Sequence, residues 1–248
     1  MIELKSVSKI FTGDVLAVDS VSLKVEKGET VALIGTSGSG KTTCMKLINR
    51  LLEPTSGCVE VDGKNVLDFD VIRLRRSIGY VIQRGGLFPH LTVEQNIGLL
   101  CRLEEWDKAK TGERVRHLLK LVSLPYDEYG KRYPRELSGG QQQRVGVARA
   151  LALDPDYLLM DEPFGALDPI TRDDVQEEFL RLKRDLHKTI VLVTHDLPEA
   201  FKLADRIALM NEGKLIQVGS KKDFLENPLN DFVQQFLTDH FSHSGANS

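Results

Sequence analysis

The chain of 248 residues contains few cysteines. Its three cysteines are Cys44, Cys58 and Cys101, and no two of them form a C-x-x-C pair of the kind that binds zinc or works as a redox dithiol. This scarcity argues against a zinc site and against a redox dithiol. It is typical of a protein that works in the reducing cytosol.

Long apolar segments are absent as well. No stretch of the sequence reaches the roughly 18 consecutive apolar residues that a membrane-spanning helix requires. The chain opens with an alternating, strand-like run over residues 2–7, whereas a secretory signal needs a basic start and a continuous apolar segment. We therefore expect a cytoplasmic protein that, if it serves a membrane, is peripheral to the inner face of the cell membrane.

The sequence also lacks a surplus of positive charge. Its 33 Lys and Arg residues are matched by 36 Asp and Glu residues, which gives a formal net charge of -3 at pH 7. Nucleic-acid binding depends on basic surface, so nucleic acid is not expected as a main partner. The 41% of apolar residues is enough for a sizeable core in a globular protein.

The order of strand-like and helix-like segments predicts an α/β fold. Strand patterns fill most of the N-terminal part, helical spacing dominates over residues 86–152, and short apolar strands return afterwards. These later strands are predicted at 157–160, 190–193 and 206–210, with a helix over about 170–186. Strands that alternate with helices imply a largely parallel sheet covered on both faces.

We expect these segments to form a single domain over residues 1–248. Its core comprises about 1–84 and 153–240, and a mostly helical subdomain is inserted at about 85–152. The tail over 241–248 is short and polar, so we expect it to be frayed.

The most specific local pattern is a phosphate-binding loop. Residues 35–42 fit G-x-x-x-x-G-K-[ST], with an apolar strand before the loop and helical spacing after it. Glycines let backbone N–H groups turn toward phosphate oxygens, and the following helix adds the positive end of its dipole. Lys41 would reach the β and γ phosphates, and the Thr42 hydroxyl would bind magnesium. The candidate nucleotide-binding residues here are Gly35, Thr36, Ser37, Gly38, Ser39, Gly40, Lys41, Thr42 and Thr43.

Two acidic residues, Asp161 and Glu162, follow the apolar strand predicted at 157–160. A phosphate loop requires a carboxylate on a neighbouring strand to order magnesium, and this is the role we predict for Asp161. Glu162 stands just past the strand end, where it would orient the attacking water and accept its proton. Acidic residues after a strand can serve only as caps, but the phosphate loop favours the catalytic interpretation.

A second anion-binding pattern lies in residues 137–144, Leu-Ser-Gly-Gly-Gln-Gln-Gln-Arg. Ser138 followed by Gln141 predicts a helix capping box, and Gly139 and Gly140 leave backbone N–H groups bare at the positive end of the helix. A chain with one phosphate loop needs a second anion site only if that site completes a nucleotide pocket in another copy. The alternative is an ordinary capped helix.

With these motifs the sequence resembles the ATP-binding cassette (ABC) family over nearly its whole length. Residues 137–141, LSGGQ, carry the family's signature, and we call them the signature segment. The other family motifs appear in the family's order: Phe11 for stacking on adenine, Gln83 between core and helical subdomain, Asp168 before a helix, and His195 after a strand. The resemblance implies that Gln83 and Asp168, like Phe11, bind the nucleotide. The resemblance implies an ABC ATPase fold, with a RecA-like phosphate-loop core, an N-terminal antiparallel β subdomain and an inserted helical subdomain.

The resemblance also implies a mechanism for hydrolysis of ATP with Mg²⁺. Two copies of the chain close head to tail, so that each ATP lies between the phosphate loop of one copy and residues 138–141 of the other. Glu162 is the catalytic base, Lys41 and His195 contact the γ-phosphate, and Gln83 senses that phosphate and the magnesium. The implied magnesium ligands are Thr42, Gln83 and Asp161.

Finer features resemble the ATP-binding subunits of importers for osmoprotectants such as glycine betaine, choline and carnitine. The segments that carry this likeness are 78–83, 86–93, 137–151 and 160–172. The implied partners are transmembrane permease subunits, expected to dock near 84–90, and indirectly a substrate-binding protein. Importers of methionine or polar amino acids share most of these motifs and remain open as the alternative.

Other classes of ABC protein are disfavoured. A non-transport ABC ATPase of DNA repair or translation usually carries a long coiled-coil insertion or two cassettes, and an exporter more often fuses its cassette to membrane helices. This sequence shows none of these features. An inactive regulatory cassette is disfavoured because Lys41, Asp161, Glu162 and His195 are all present.

Overall fold

A computed structural model describes residues 1–82 and 86–244. The strands are β1 (Ile2–Phe11), β2 (Val15–Val25), β3 (Thr30–Gly35), β4 (Ser56–Val61), β5 (Lys64–Asn65), β6 (Ile78–Val81), β7 (Tyr157–Asp161), β8 (Thr189–Val193), β9 (Arg206–Asn211) and β10 (Lys214–Gly219). The α-helices are α1 (Lys41–Ile48), α2 (Val71–Ser77), α3 (Val93–Ile97), α4 (Leu99–Leu103), α5 (Lys108–Leu121), α6 (Tyr126–Tyr129), α7 (Gly139–Ala150), α8 (Pro169–Leu186), α9 (Leu197–Leu203), α10 (Lys221–Glu226) and α11 (Asp231–Ser244). Two compact units are present: unit 1 comprises Met1–Leu74 with Thr189–Ser248, and unit 2 comprises Arg75–Lys188.

Unit 1 contains an antiparallel sheet with the strand order β2-β1-β4-β5. Leu4 of β1 lies opposite Leu23 of β2 and Val59 of β4, and all three side chains are buried. Their neighbours in sequence point to the opposite face, because successive side chains of a strand alternate. The alternating apolar pattern of the N-terminal part therefore forms one buried face of this sheet.

Unit 1 also contains the parallel strands predicted for the core. The strands lie in the order β10-β9-β3-β8, and β3 is parallel to both β8 and β9. Residues 31–34 of β3 are at most 1% exposed, as expected for a continuous apolar strand covered on both faces. Ala32 and Ile34 pack in a cluster with Leu197, Phe224 and Phe236, which belong to α9, α10 and α11.

Unit 2 contains β6 and β7, which pair in parallel from Ile78 opposite Tyr157 to Val81 opposite Met160. Helices α3 to α7 lie between these two strands in the sequence, which confirms the inserted helical segment. Helix α7 packs against α3, β6, α5 and α8. The α/β class predicted from the sequence is therefore confirmed in both units.

The boundaries of the compact units differ from those predicted for core and insertion. Unit 2 begins at Arg75 and ends at Lys188, so it includes β6, β7 and α8 together with the helices. The reason is that β6 pairs with β7 while α7 packs on β6 and α8. The single domain over residues 1–248 stays a prediction.

The C-terminal helix α11 includes residues 241–244, which belong to the tail predicted to be frayed. Helix α11 continues to Ser244, and the ring of Phe241 lies 6.0 Å from the ring of Phe201 on α9. Aromatic contact of this kind stabilises the last turns of a helix against fraying. Residues 245–248, the rest of the predicted tail, lie outside the described residues.

Within residues 1–82 and 86–244, no helix combines the length and the hydrophobicity needed to cross a membrane. The three cysteines are free thiols. Burial raises the pKa of Cys44 to about 12. This thiol therefore stays protonated at neutral pH and belongs to the core.

Candidate functional site

The phosphate loop connects β3 to α1 in unit 1, as predicted. Gly35, Gly38 and Gly40 all have positive φ angles, of 141°, 79° and 99°. A Cβ on Gly35 would lie 2.0 Å from the carbonyl oxygen of Met210, and one on Gly40 would lie 2.4 Å from that of Ala17. Backbone atoms therefore enclose two of the three glycines, and any side chain at these positions would displace the loop.

The side chain of Lys41 is folded back against this loop and is only 6% exposed. Its Nζ donates hydrogen bonds to the carbonyl oxygens of Gly35 at 2.9 Å and Thr36 at 2.7 Å, and to Oγ of Ser39 at 3.3 Å. All three acceptors are neutral. A phosphate oxygen is a stronger acceptor for an ammonium group because it is charged.

The N-terminus of α1 has no side-chain cap, since its N-cap residue is Gly40. The first N–H groups of a helix have no partner within the helix, so an uncapped N-terminus is suited to an anion. Thr36, Ser37 and Gly38 are exposed, and Thr42 and Thr43 are partly exposed on the first turn of α1. The loop is therefore accessible to a ligand from solvent.

Phe11 and His195, the other predicted site residues of unit 1, are both accessible. Phe11 ends β1 at the hairpin with β2, is 37% exposed, and has Nζ of Lys9 at 5.5 Å from its ring centroid. His195 is exposed two residues beyond the end of β8. Because β8 runs parallel to β3, with Leu33 opposite Val193, His195 and the phosphate loop lie at the same carboxyl edge of the sheet.

The carboxylates predicted to act on magnesium and water belong to unit 2. Asp161 is the last residue of β7 and is 7% exposed. Burial raises the pKa of Tyr80 to about 12, and the charge of Asp161 and a hydrogen bond to its carboxylate contribute to this increase. Glu162 follows with a φ of 44°, a left-handed conformation that costs energy in a residue other than glycine.

The capping box predicted in the signature segment is confirmed at the start of α7. Ser138 Oγ accepts the N–H of Gln141 at 3.3 Å, and Oε1 of Gln141 accepts the N–H of Ser138 at 2.9 Å. Ser138 and Gly139 are exposed, whereas Gly140 is buried. Of these three residues, only Ser138 and Gly139 are therefore exposed at the start of α7.

Asp168, the remaining predicted nucleotide-binding residue of unit 2, is the N-cap of α8. Its Oδ1 accepts the backbone N–H of Thr171 at 3.1 Å. Hydrogen bonds from the side chain and then from the backbone of Thr171 hold the pKa of Asp168 below its usual value. The carboxylate is exposed and ionised at neutral pH.

Gln83, predicted to sense the nucleotide and magnesium, lies outside the described residues, together with Arg84 and Gly85. The rest of the predicted docking segment, 86–90, is described, and its Phe88 is 43% exposed. The fully buried Asn96 holds this segment: its Oδ1 accepts the N–H of Phe88 at 2.8 Å, and its Nδ2 donates to the carbonyl oxygens of Phe88, Leu91 and Thr92 at 3.1, 3.0 and 3.0 Å.

Each unit contributes, by itself, an oxygen ligand of the kind that magnesium prefers. The hydroxyl of Thr42 and the carboxylate of Asp161 are oxygen ligands, which Mg²⁺ prefers, and proteins usually supply only one or two of its ligands beside substrate phosphates and water. The described part of the chain has no group of three or more His, Cys, Asp and Glu side chains that could hold a metal alone.

Two tyrosines next to these residues escaped the sequence analysis. Tyr80 donates to Asp161, and the hydroxyl of Tyr129 lies 3.3 Å from Nε2 of Gln141. Neither tyrosine belongs to a local motif, because its partner is distant in sequence. Only the pairing of β6 with β7 and the packing around α7 bring these side chains together.

The sequence is similar to those of known proteins of one family. A family model described as "ABC transporter" matches residues 18–165. The choline transport ATP-binding protein OpuBA of Bacillus subtilis (strain 168) is 57% identical over 237 residues, which cover 96% of this chain and 62% of the relative. The glycine betaine uptake system ATP-binding protein YehX of Escherichia coli (strain K12) is 51% identical, with 96% of this chain and 76% of the relative covered. The chain thus spans about three fifths of the length of OpuBA.

Solved structures are similar in fold as well. The ATP-binding cassette MJ0796, in a dimeric post-hydrolysis state bound to ADP and Pi, is 34% identical, with a TM-score of 0.79. The match covers 89% of this chain and 98% of that one. A second dimeric structure of MJ0796, described as a bacterial ABC transporter cassette, has a TM-score of 0.80 and 35% identity, with the same coverage.

Proposed function

The chain belongs to the ABC transporter family, and from this premise we propose that it is the ATP-binding and ATP-hydrolysing subunit of an ABC importer. The observation that supports this most directly is that one chain contains both a phosphate loop followed by a helix without a side-chain cap and an exposed helix start at Ser138. The likeness to a dimeric cassette bound to ADP and Pi supports hydrolysis of ATP as the activity.

Unit 1 supplies the residues that bind the nucleotide. Phe11 stacks on the adenine ring, which its exposure permits. The backbone N–H groups of residues 35–43 bind the phosphate oxygens. Lys41 exchanges its bonds to the carbonyl oxygens of Gly35 and Thr36 for bonds to the β and γ phosphates, because a charged oxygen is the stronger acceptor.

Magnesium, when bound with ATP, neutralises part of the phosphate charge and orients the γ-phosphate. The residues that would hold it are Thr42 through its hydroxyl, Asp161 through its carboxylate and Gln83 through its side-chain oxygen. Tyr80 donates a hydrogen bond to Asp161 and thereby limits the rotation of that carboxylate.

Hydrolysis requires a base and a group that stabilises the developing charge. Glu162 accepts the proton of the attacking water, whose oxygen forms a bond to the γ-phosphorus as the bond to the ADP oxygen breaks. Lys41 and His195 bind the γ-phosphate oxygens, where negative charge is concentrated.

A second copy of the chain completes each site. The hydroxyl of Ser138 and the N–H of Gly139, both exposed, bind the γ-phosphate of an ATP held by the other copy. Gly140, Gln141 and Asp168 are the other residues proposed for nucleotide binding at this interface. Hydrolysis removes the charge that bridges the two copies, so the dimer opens again.

The transported solutes are proposed from the relatives. OpuBA is a choline transport protein and YehX a glycine betaine uptake protein, which supports an importer for quaternary-amine osmoprotectants. The subunit would act at the inner face of the cell membrane with transmembrane permease subunits, and indirectly with a substrate-binding protein. The exposed Phe88 supports docking of the permease near residues 84–90.

The dimer is tested by size-exclusion chromatography with mass determination of Glu162→Gln. We expect a dimer with MgATP and a monomer with ADP or without nucleotide, since the variant binds ATP but hydrolyses it very slowly. The control is Lys41→Ala in the same background, which should stay monomeric because the γ-phosphate loses a ligand. A Glu162→Gln variant with normal ATP turnover would show that another group is the base.

The solute class is tested by uptake in cells that lack this gene and carry it again on a plasmid. We expect the wild type, but not Glu162→Gln, to restore uptake of labelled glycine betaine, choline or carnitine. Restored uptake of methionine alone would identify an amino-acid importer instead.

A further inference from the structure

The side chain of Gln141 is held at both ends of its amide group. Its Oε1 accepts the backbone N–H of Ser138 at 2.9 Å, and its Nε2 lies 3.3 Å from the hydroxyl oxygen of Tyr129. If the amide were flipped, its NH₂ group would face the N–H of Ser138, and two donors would oppose each other. In the observed orientation the NH₂ group of Gln141 faces the hydroxyl oxygen of Tyr129, which accepts its hydrogen bond.

Tyr129 is itself fixed in place. It ends the short helix α6, and the guanidinium of Arg132 lies 4.6 Å from its ring centroid. Arg132 in turn forms an ion pair with Glu128 at 3.0 Å, across one turn of the chain. The cation–π contact with Arg132 already restricts the side-chain conformation of Tyr129. Accepting a hydrogen bond therefore costs this side chain little additional conformational entropy.

The backbone around Tyr129 is tied to the N-terminus of α3. The N–H of Val93 donates to the carbonyl oxygen of Arg132 at 2.8 Å, and the N–H of Glu94 donates to that of Gly130 at 2.9 Å. Helix α3 also carries Asn96, which holds the exposed Phe88. Hydrogen bonds, together with the backbone between Tyr129 and Arg132, therefore connect Phe88 through α3 to Tyr129 and the cap of α7.

We propose that Tyr129 is a positioning residue for the signature segment, acting through Gln141. It keeps the Gln141 amide oriented so that Ser138 stays in its N-cap conformation, with its hydroxyl and the N–H of Gly139 directed to a ligand. The expected effect on ATP binding between two copies rests on the proposed function. The positioning itself is a property of the nucleotide-free monomer.

The first experiment measures hydrogen exchange of the Ser138 and Gln141 backbone N–H groups by NMR in the nucleotide-free protein. Loss of one hydrogen bond changes an equilibrium by about three- to tenfold, so we expect Tyr129→Phe to accelerate exchange of both groups by about that factor. Tyr133→Phe is the matched control, because Tyr133 is a nearby exposed tyrosine whose ring contacts Arg135 instead. Unchanged exchange in Tyr129→Phe would overturn the proposal.

The second experiment compares dimer dissociation constants with MgATP in the Glu162→Gln background. We expect Tyr129→Phe to raise this constant by about three- to tenfold while the affinity of the monomer for ADP is unchanged. In a Gln141→Met variant, Tyr129→Phe should not raise the dissociation constant further, because Tyr129 acts through the Gln141 amide that this variant lacks. An equal effect with and without Gln141 would show a merely structural role. If Glu162→Gln never dimerises, the proposed ATP sandwich fails, whereas the exchange experiment still decides the role of Tyr129.

Discussion

At the scale of single residues, the two glycines of the signature segment have different steric surroundings. A Cβ on Gly139 would lie 3.5 Å from the side chain of Leu167, an ordinary contact. A Cβ on Gly140 would lie 2.4 Å from Cγ2 of Thr171 on α8. Gly140 is therefore required for the close approach of α7 and α8, whereas the surroundings of Gly139 would accept a methyl group.

Gly140→Ala should lower the free energy of unfolding by about 1–3 kcal/mol, the usual cost of overpacking, because Thr171 has to move. Thr171→Ser removes Cγ2 and keeps the hydroxyl, so the double variant should recover most of the loss. Urea unfolding curves of the two single variants and the double variant measure this. Gly139→Ala, the control, should change stability by less than about 0.5 kcal/mol. A Gly140→Ala protein as stable as the wild type would contradict the packing argument.

At the scale of secondary-structure elements, side-chain caps separate two kinds of helix start. Ser138, Asp168, Asp196 and Ser220 cap α7, α8, α9 and α10. The start of α1 has no such side-chain cap, which is the arrangement expected of a helix that binds phosphates at its N-terminus. At α7 the cap satisfies the N–H of Gln141 and leaves the N–H of Gly139 unbonded by it. A capped helix can thus keep a first-turn N–H that its cap does not bind, as the proposed anion site at α7 requires.

Substitution of Ser138 can separate these two roles. Ser138→Asp should preserve the stability of the protein, because aspartate is as good an N-cap as serine. In the Glu162→Gln background it should abolish the MgATP-dependent dimer, because its charge repels the γ-phosphate. Ser138→Ala should instead lose about 1 kcal/mol of stability with the cap. Chemical denaturation and size-exclusion chromatography measure the two effects. A stable dimer of Ser138→Asp would exclude Ser138 from the nucleotide interface.

At the scale of the whole molecule, nucleotide binding should raise stability by mass action. ADP at a hundred times its dissociation constant should increase the free energy of unfolding by about 2.7 kcal/mol, since it binds only the folded chain. Lys41→Ala should show a much smaller increase at the same concentration, because the loop loses its buried cation. Thermal unfolding with and without ADP measures this. Equal increases in both proteins would show that Lys41 makes no contact with the diphosphate.

The sequence by itself determined the features that depend on neighbouring residues. The glycine-rich loop, the capping box from Ser138 to Gln141 and the apolar strand β3 all form from short segments, because φ angles, cap bonds and side-chain alternation are local. Together they predicted the α/β class and the family, both of which are shown. The roles of the site residues, and of Gln83 above all, stay predictions.

Only the tertiary structure decided which distant residues meet. The carbonyl oxygen of Met210 closes on Gly35, Thr171 on Gly140, and Tyr129 on Gln141. The limits of the two compact units likewise follow from the pairing of β6 with β7 and from the packing of α7. No local pattern encodes these contacts, because each depends on how whole elements pack, and packing is set by the combined shape of many side chains.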